Sequence, residues 1–234
     1  MYCRPTLTMA QQVADSQFEA TGLGHAFTPR PILAKVNARK CRTCGEDVFA
    51  HARAEVDEFA LMLVLDASAD DKASVIVDDQ LLVGSFKSMV AALGKNASAV
   101  AVNCAGTHLH SFLPKTKPPA DALRQAGRLY DLEWQDAESF KLELADILAA
   151  ITWTNRHIAS GQPVVVNCAQ GKSRSGTFAV ALLMHNRDVP VQAALELVRS
   201  RRPLVEPNPG FMRQLAAFEE SLRSAGRAAR EQAG

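Results

Sequence analysis

Behind Pro163 stand three β-branched residues in a row, Val164-Val165-Val166; eleven mostly small and polar residues follow, and then the apolar stretch Phe178 to Met184. A β-branched run without polar alternation suits a strand covered on both faces, as occurs where helices flank a largely parallel sheet. The apolar stretch beyond it reads as a buried helix. Strand, loop and helix together commit this part of the chain to a layered α/β domain.

The rest of the sequence supplies the partners such a strand needs. Val75-Ile76-Val77 and Leu81-Leu82-Val83 bracket the turn-like Asp78-Asp79 as a short hairpin, Phe86 to Leu93 predicts a helix, and Val100 to Val102 predicts a short strand. Leu129 to Trp134 fits another strand. Phe140, Leu144, Ile147, Leu148 and Ile151 then recur at helical spacing toward a stop near Gly161. Two further helices bury Val191, Ala194, Leu195 and Val198, and Phe211, Leu215, Phe218 and Leu222. Ala105 to Gly127, with its prolines at 114, 118 and 119, shows no sustained period and predicts a long connection of the kind that serves as a lid. The expectation is a central sheet flanked by helices. A small, polar stretch at Ala67 to Lys72 marks the boundary, giving an N-terminal extension at 1–72, an α/β domain at 73–224 and a tail at 225–234.

Composition narrows the functions open to this fold. At 234 residues with 47% apolar and 22% charged residues, the chain is an ordinary globular one with room for a sizeable core. Lys+Arg 26 against Asp+Glu 25 leaves a net charge of +1, so no global field holds nucleic acid or a membrane surface and anion recognition has to be local. The longest apolar run, Phe59 to Leu65, is too short to span a bilayer, and no secretory leader is evident at the start. Five scattered cysteines, Cys3, Cys41, Cys44, Cys104 and Cys168, suit a reducing compartment, so a cytoplasmic location is expected. Cys41 and Cys44 form half of a zinc knuckle, with only Cys3, His25 and His51 to complete it; they are weak metal candidates beside the reading as ordinary thiols.

The chemistry concentrates in Asn167-Cys168-Ala169-Gln170-Gly171-Lys172-Ser173-Arg174-Ser175-Gly176. A turn of this kind opening a helix points successive backbone N–H groups at one spot, and the helix dipole adds positive potential there, so Ala169, Gln170, Gly171, Lys172 and Ser173 can cradle a phosphate-sized anion. Arg174 completes the cradle, since a guanidinium grips two phosphoryl oxygens at once. The same donors favour the thiolate of Cys168, the nucleophilic form. The plainer reading is a structural cysteine before an ordinary helix N-terminus.

The segment resembles the Cys-x5-Arg signature of the protein tyrosine phosphatase superfamily, and its Ser-Arg-Ser ending is most similar to dual-specificity phosphatases. Arg202-Pro203-Leu204-Val205-Glu206-Pro207-Asn208-Pro209-Gly210-Phe211, then Gln214-Leu215 and Phe218-Glu219, is similar to that family's ending. Leu132-Glu133-Trp134-Gln135-Asp136 stands where the family presents its acidic residue. The resemblance spans roughly Ala73 to Arg223 and implies a dual-specificity phosphatase-like fold.

It also implies a mechanism without metal or other cofactor, acting on phosphorylated protein. Cys168 attacks phosphorus, Arg174 and the loop amides hold the equatorial oxygens, and Asp136 protonates the leaving group and later activates water. Asp136 also suits a helix N-cap, and Asp131 is the substitute acid. Ser175 would donate to the departing thiolate, or else satisfy backbone groups at the helix start. Asn208 resembles the asparagine that braces the catalytic loop. Asn167 departs from the family's usual histidine; asparagine can keep a hydrogen bond to the loop backbone but lacks a titrating imidazole. That departure motivates a rival, a phospho-binding protein without turnover. Lys172 is similar to a second loop cation of phosphoinositide phosphatases, or is a solvent-facing lysine. A rhodanese-type sulfurtransferase is disfavoured by the Pro-Asn-x-Gly-Phe ending. Asn103-Cys104 resembles the strand end that carries a redox partner cysteine in a lipid phosphatase of the superfamily, beside the reading of Cys104 as a small buried hydrophobe.

Overall fold

The computed structural model describes residues 69–70, 72–78, 80–111 and 117–233, within the second of the chain's two units, Ala69–Gly234. The hairpin forms as β1 (Ser74–Val77) against β2 (Leu81–Ser85), antiparallel, with Asp78 turning at φ 35°. Helix α1 (Phe86–Lys95) follows, opened by Ser85, whose hydroxyl accepts the Ser88 N–H at 3.2 Å. Strand β3 (Val100–Asn103) leads into two short helices, α2 (Gly106–Ser111) and α3 (Lys117–Gln125), and then β4 (Leu129–Asp131). The chain continues through α4 (Leu144–Ala159), β5 (Val164–Cys168), α5 (Arg174–Arg187), α6 (Val191–Arg201) and α7 (Pro209–Ala233).

The sheet order is β1-β2-β5-β3-β4, with all pairs after the first parallel. The Val164-Val165-Val166 run is therefore the middle strand, and all five β5 residues are buried. Successive side chains alternate between the two faces of a strand. Val165 packs into a cluster with Met89 and Leu93 of α1, Ala101, Ala120 and Leu123 of α3, and Leu129. Val164 and Val166 face the other way, the side covered by α5. That helix is buried at every position from Ser175 to Met184, which explains its nearly unbroken apolar sequence. Phe178, fully buried, contributes on the order of 1.5–3 kcal/mol by leaving water.

Three sequence expectations change. The segment 105–127 is not one unstructured lid: residues 106–111 and 117–125 are helical, and Pro118 and Pro119 fall in the first turn of α3, where a missing N–H costs nothing. The strand foreseen at Leu129 to Trp134 ends at Asp131. Trp134 leaves the sheet because its ring, 4% exposed, is taken up between Phe178 of α5 (centroids 6.3 Å apart) and Phe211 of α7 (6.1 Å). Phe140 consequently lies in the irregular stretch before α4 and not in the helix. Among the described residues, no helix is long and apolar enough to cross a membrane.

Candidate active site

Four parallel strands end along one edge of the sheet, the edge at which open α/β sheets bind ligands. Register aligns Ser85 of β2 with Cys168, and Asn103 of β3 with Asn167. The Cys104 N–H continues that ladder by donating to the Asn167 carbonyl at 2.7 Å. Cys168 thus sits on the last rung, flanked on both sides, and is 2% exposed.

From Cys168 the chain turns through Ala169, Gln170, Gly171, Lys172 and Ser173 into α5. Gly171 adopts φ 69°, and a Cβ there would fall 2.4 Å from the Gly84 carbonyl carbon, so both the conformation and the close approach require glycine. Behind the turn lies Arg202, 2% exposed, whose Nε donates to the Gly171 carbonyl at 2.7 Å and whose Nη2 donates to the Gln170 carbonyl at 3.1 Å. In a trans peptide the N–H points opposite the C=O. Holding the carbonyls of 170 and 171 outward therefore aims the N–H groups of Gly171 and Lys172 into the turn. Arg202 is itself held by the Asp70 carboxylate at 2.9 Å and by Ser74 Oγ at 3.3 Å.

Ser173 stands at the N-cap of α5 but does not cap it with its hydroxyl, which instead donates to Asp136 Oδ1 at 2.7 Å. The first-turn amides of α5 thus keep their capacity for an anion. Arg174 donates from Nη1 to the Trp134 carbonyl at 3.2 Å, and its Nε lies 3.9 Å from Asp136 Oδ2. Ser175 Oγ is 3.3 Å from Cys168 Sγ. Burial by itself raises the Cys168 pKa; the Arg174 charge and the Ser175 hydroxyl and N–H more than offset it, and the balance holds the thiol below its ordinary value.

Asp136 sits in the irregular stretch between β4 and α4, and its oxygens meet three residues from two helix starts. Besides Ser173 and Arg174, Asn208 Nδ2 donates to Oδ1 at 3.0 Å. Asn208 Oδ1 in turn accepts the Phe211 N–H at 2.9 Å and caps α7. Asp136 caps no helix, since α4 begins after Glu143. Gly210 allows α7 to press against this stretch, for a Cβ there would lie 2.0 Å from the Glu138 carbonyl oxygen. Asp131 is elsewhere engaged: it accepts Asn103 Nδ2 at 2.7 Å and Arg124 Nε at 2.6 Å.

Asn167 does not bond the loop backbone, as its amide was expected to; Nδ2 donates to Asn103 Oδ1 at 3.2 Å. The reason is the parallel register, which sets the two asparagines side by side. Asn167 contributes no charge, and the lowering of the Cys168 pKa arises from Arg174 and Ser175 without it. Lys172 pairs with Glu206, Nζ to Oε2 2.6 Å. Cys104 is fully buried, and burial, then the neighbouring Cys168, pushes its thiol well above the usual value, against the lowering effect of Arg174. Cys41 and Cys44, with Cys3, His25 and His51, lie outside the described residues.

The site also draws on residues that sequence reasoning assigned no role: Arg202 and Asp70 behind the loop, Asn103 beneath it, Trp134 under Arg174, and Glu206 beside Lys172. Arg202, Trp134, Glu206 and Asn103 carried a signal only as members of the stretches that resemble the family, and Asp70 carried none. All became functional neighbours through strand register and helix packing.

Against this geometry, the profile described as "Dual specificity phosphatase, catalytic domain" matches residues 81–221. "Dual specificity protein phosphatase 1" of Arabidopsis thaliana is 32% identical over 156 residues, 66% of this chain and 73% of that one. The chain belongs to the dual specificity phosphatase family. It is thereby a hydrolase of the protein tyrosine/dual-specificity phosphatase class. The fold is shared with the crystal structure of human DUSP28, TM-score 0.51 at 22% identity over 66% of this chain and 97% of that one. It is also shared with PTPMT1 in complex with PI(5)P, TM-score 0.53 at 20% identity over 65% and 98%.

Proposed function

We propose that the chain hydrolyses phosphotyrosine and phosphoserine/threonine in proteins through a phosphocysteine intermediate. The Cys168 thiolate attacks phosphorus while Asp136 gives its proton to the departing phenolate or alkoxide. Asp136, now a carboxylate, takes a proton from water, whose oxygen attacks the phosphocysteine; phosphate leaves, and the Ser175 hydroxyl donates a hydrogen bond to the returning thiolate. Arg174 and the amides of residues 169–173 hold the equatorial oxygens in both steps, a placement that acts on charge as it develops. Asn208 and Ser173 position Asp136.

The observation that carries this reading is the convergence on Cys168 of Ser175 at 3.3 Å and the Arg174 charge, with Asp136 bonded to Ser173 of the same loop. The test is phosphate release from an aryl phosphate at pH 6–7 in the presence of EDTA, then from phosphotyrosyl and phosphothreonyl peptides. Release abolished in Cys168→Ser supports it; release that persists in that variant sinks it.

Cys104 completes the reading as a redox partner of Cys168. Adjacent strands lie about 4.8 Å apart, inside the Cα separation a disulfide accepts, about 4.4–6.8 Å. A phosphoinositide reading has one supporting feature, the second loop cation Lys172, together with the PI(5)P complex of PTPMT1 among the fold's relatives.

A further inference from the structure

Among the described residues, two cations besides Arg174 touch the loop, and each is matched by a carboxylate. Arg202 meets Asp70 behind the loop. Lys172, within the loop itself, meets Glu206 at 2.6 Å. The second pairing bears on what the site admits, because Lys172 lies between two residues of the anion cradle and its charge adds to that of Arg174.

Glu206 is not an incidental surface acid. Its own N–H donates to the Lys172 carbonyl at 3.2 Å, so the backbone of the glutamate is fastened to the backbone of the lysine. On one side Val205, 1% exposed, packs on Gly176 of α5 and gives its carbonyl to Arg199 Nε at 2.9 Å. On the other side Pro207 leads to Asn208, bonded to Asp136 and to Ser173. The backbone bond keeps the two residues adjacent, and the Glu206 carboxylate meets the Lys172 ammonium, Oε2 to Nζ 2.6 Å. An exposed ion pair contributes little to stability, and the energy of this one is beside the point. Its effect falls on an incoming anion: a like charge placed at a site counts against the wrong ligand, and specificity is the difference between the two affinities.

A single phosphate ester on a protein side chain needs only Arg174 and the loop amides. A ligand with further phosphates beside the reacting one needs an additional unmatched cation to hold them, and Glu206 removes Lys172 from that role. We propose that Glu206 is a specificity-determining residue that masks Lys172 and restricts the site to isolated phosphate esters, excluding clustered phosphates such as those of polyphosphorylated lipid headgroups. The proposal rests on the phosphatase reading above.

The full chain is compared with Glu206→Gln, which keeps shape and removes charge, and with Glu206→Gln combined with Lys172→Met. Phosphate release is measured from an aryl phosphate and from a short-chain phosphatidylinositol bisphosphate at several ionic strengths. The expected result is that Glu206→Gln raises the ratio of kcat/KM for the bisphosphate over the aryl phosphate by about fivefold to tenfold at low salt, shrinking as salt screens the charge. The double variant returns the ratio to near that of the wild type. A parallel measurement on Cys168→Ser, with and without Glu206→Gln, compares the affinities for inositol trisphosphate and for inorganic phosphate. A wild type that releases no phosphate counts against the phosphatase reading alone, since the binding comparison still reports on the charge. A trisphosphate-to-phosphate ratio unmoved by Glu206→Gln, or a rise that survives loss of Lys172, overturns the role of Glu206.

Discussion

Replacing Arg202 by methionine tests whether a residue that touches no substrate aims the amides that do. Methionine preserves the apolar bulk of a side chain that is 2% exposed but withdraws both donors from the Gly171 and Gln170 carbonyls. A buried acceptor stripped of its partner costs about 1–3 kcal/mol, so the two carbonyls together cost about 2–6 kcal/mol. Asp70, 40% exposed, turns to water when its partner goes and adds little, about 1 kcal/mol at most. A loss of about 4 kcal/mol in a domain of this size lowers Tm by about 8–16 °C. With the peptides at 170 and 171 released, the N–H groups of Gly171 and Lys172 lose their fixed direction. Each hydrogen bond to a charged oxygen is worth about 1.5–3 kcal/mol, so inhibition by inorganic phosphate weakens by about tenfold or more. Thermal unfolding followed by circular dichroism and the Ki of phosphate against aryl phosphate hydrolysis read the two effects. Asp70→Asn, which keeps both carbonyl bonds, should move Tm by no more than a few degrees. An Arg202→Met protein within about 2 °C of the wild type, with an unchanged Ki, would refute the reasoning.

Three further outcomes follow from the same geometry. Because the Cys168 thiol is held below its ordinary value, the acid limb of kcat/KM lies below that of a free thiol; Ser175→Ala removes a donor to the thiolate, so the limb moves to higher pH, and an unmoved limb removes Ser175 from the tuning. Asp136→Asn should slow alkyl phosphates, which need a protonated leaving group, by about 10²–10⁴-fold while sparing activated aryl phosphates, and equal slowing of both assigns the acid elsewhere. Mild peroxide should convert the Cys168 thiolate to a sulfenic acid, which the Cys104 thiol attacks with release of water to form a disulfide reversed by dithiothreitol; recovery just as complete in Cys104→Ser eliminates the switch.

Features legible in the amino-acid order alone are local ones. Three valines behind a proline specify a strand covered on both faces, and the ten residues that follow carry their chemistry in order, because a thiol, a run of amides and a guanidinium on one turn need no distant partner to meet. The acid was legible as a candidate from the resemblance around Trp134 and Asp136, but its surroundings were not. Ser173, Arg174 and Asn208 reach Asp136 from residues 37 to 72 positions away. Only the packing of α5 and α7 against Trp134 brings them there. The short β4 and the helices within 105–127 escaped the sequence for a related reason: Trp134 leaves the sheet for a pocket between two helices not yet met along the chain, and prolines that read as breakers sit in a first turn that tolerates them. The partners of Asn103, Asp70 and Glu206 had no signal in the order of residues. Asn103 acquires its partner through strand register, Asp70 through the buried Arg202, and Glu206 through the backbone bond that sets it beside Lys172; those relations exist only once the sheet has closed around β5.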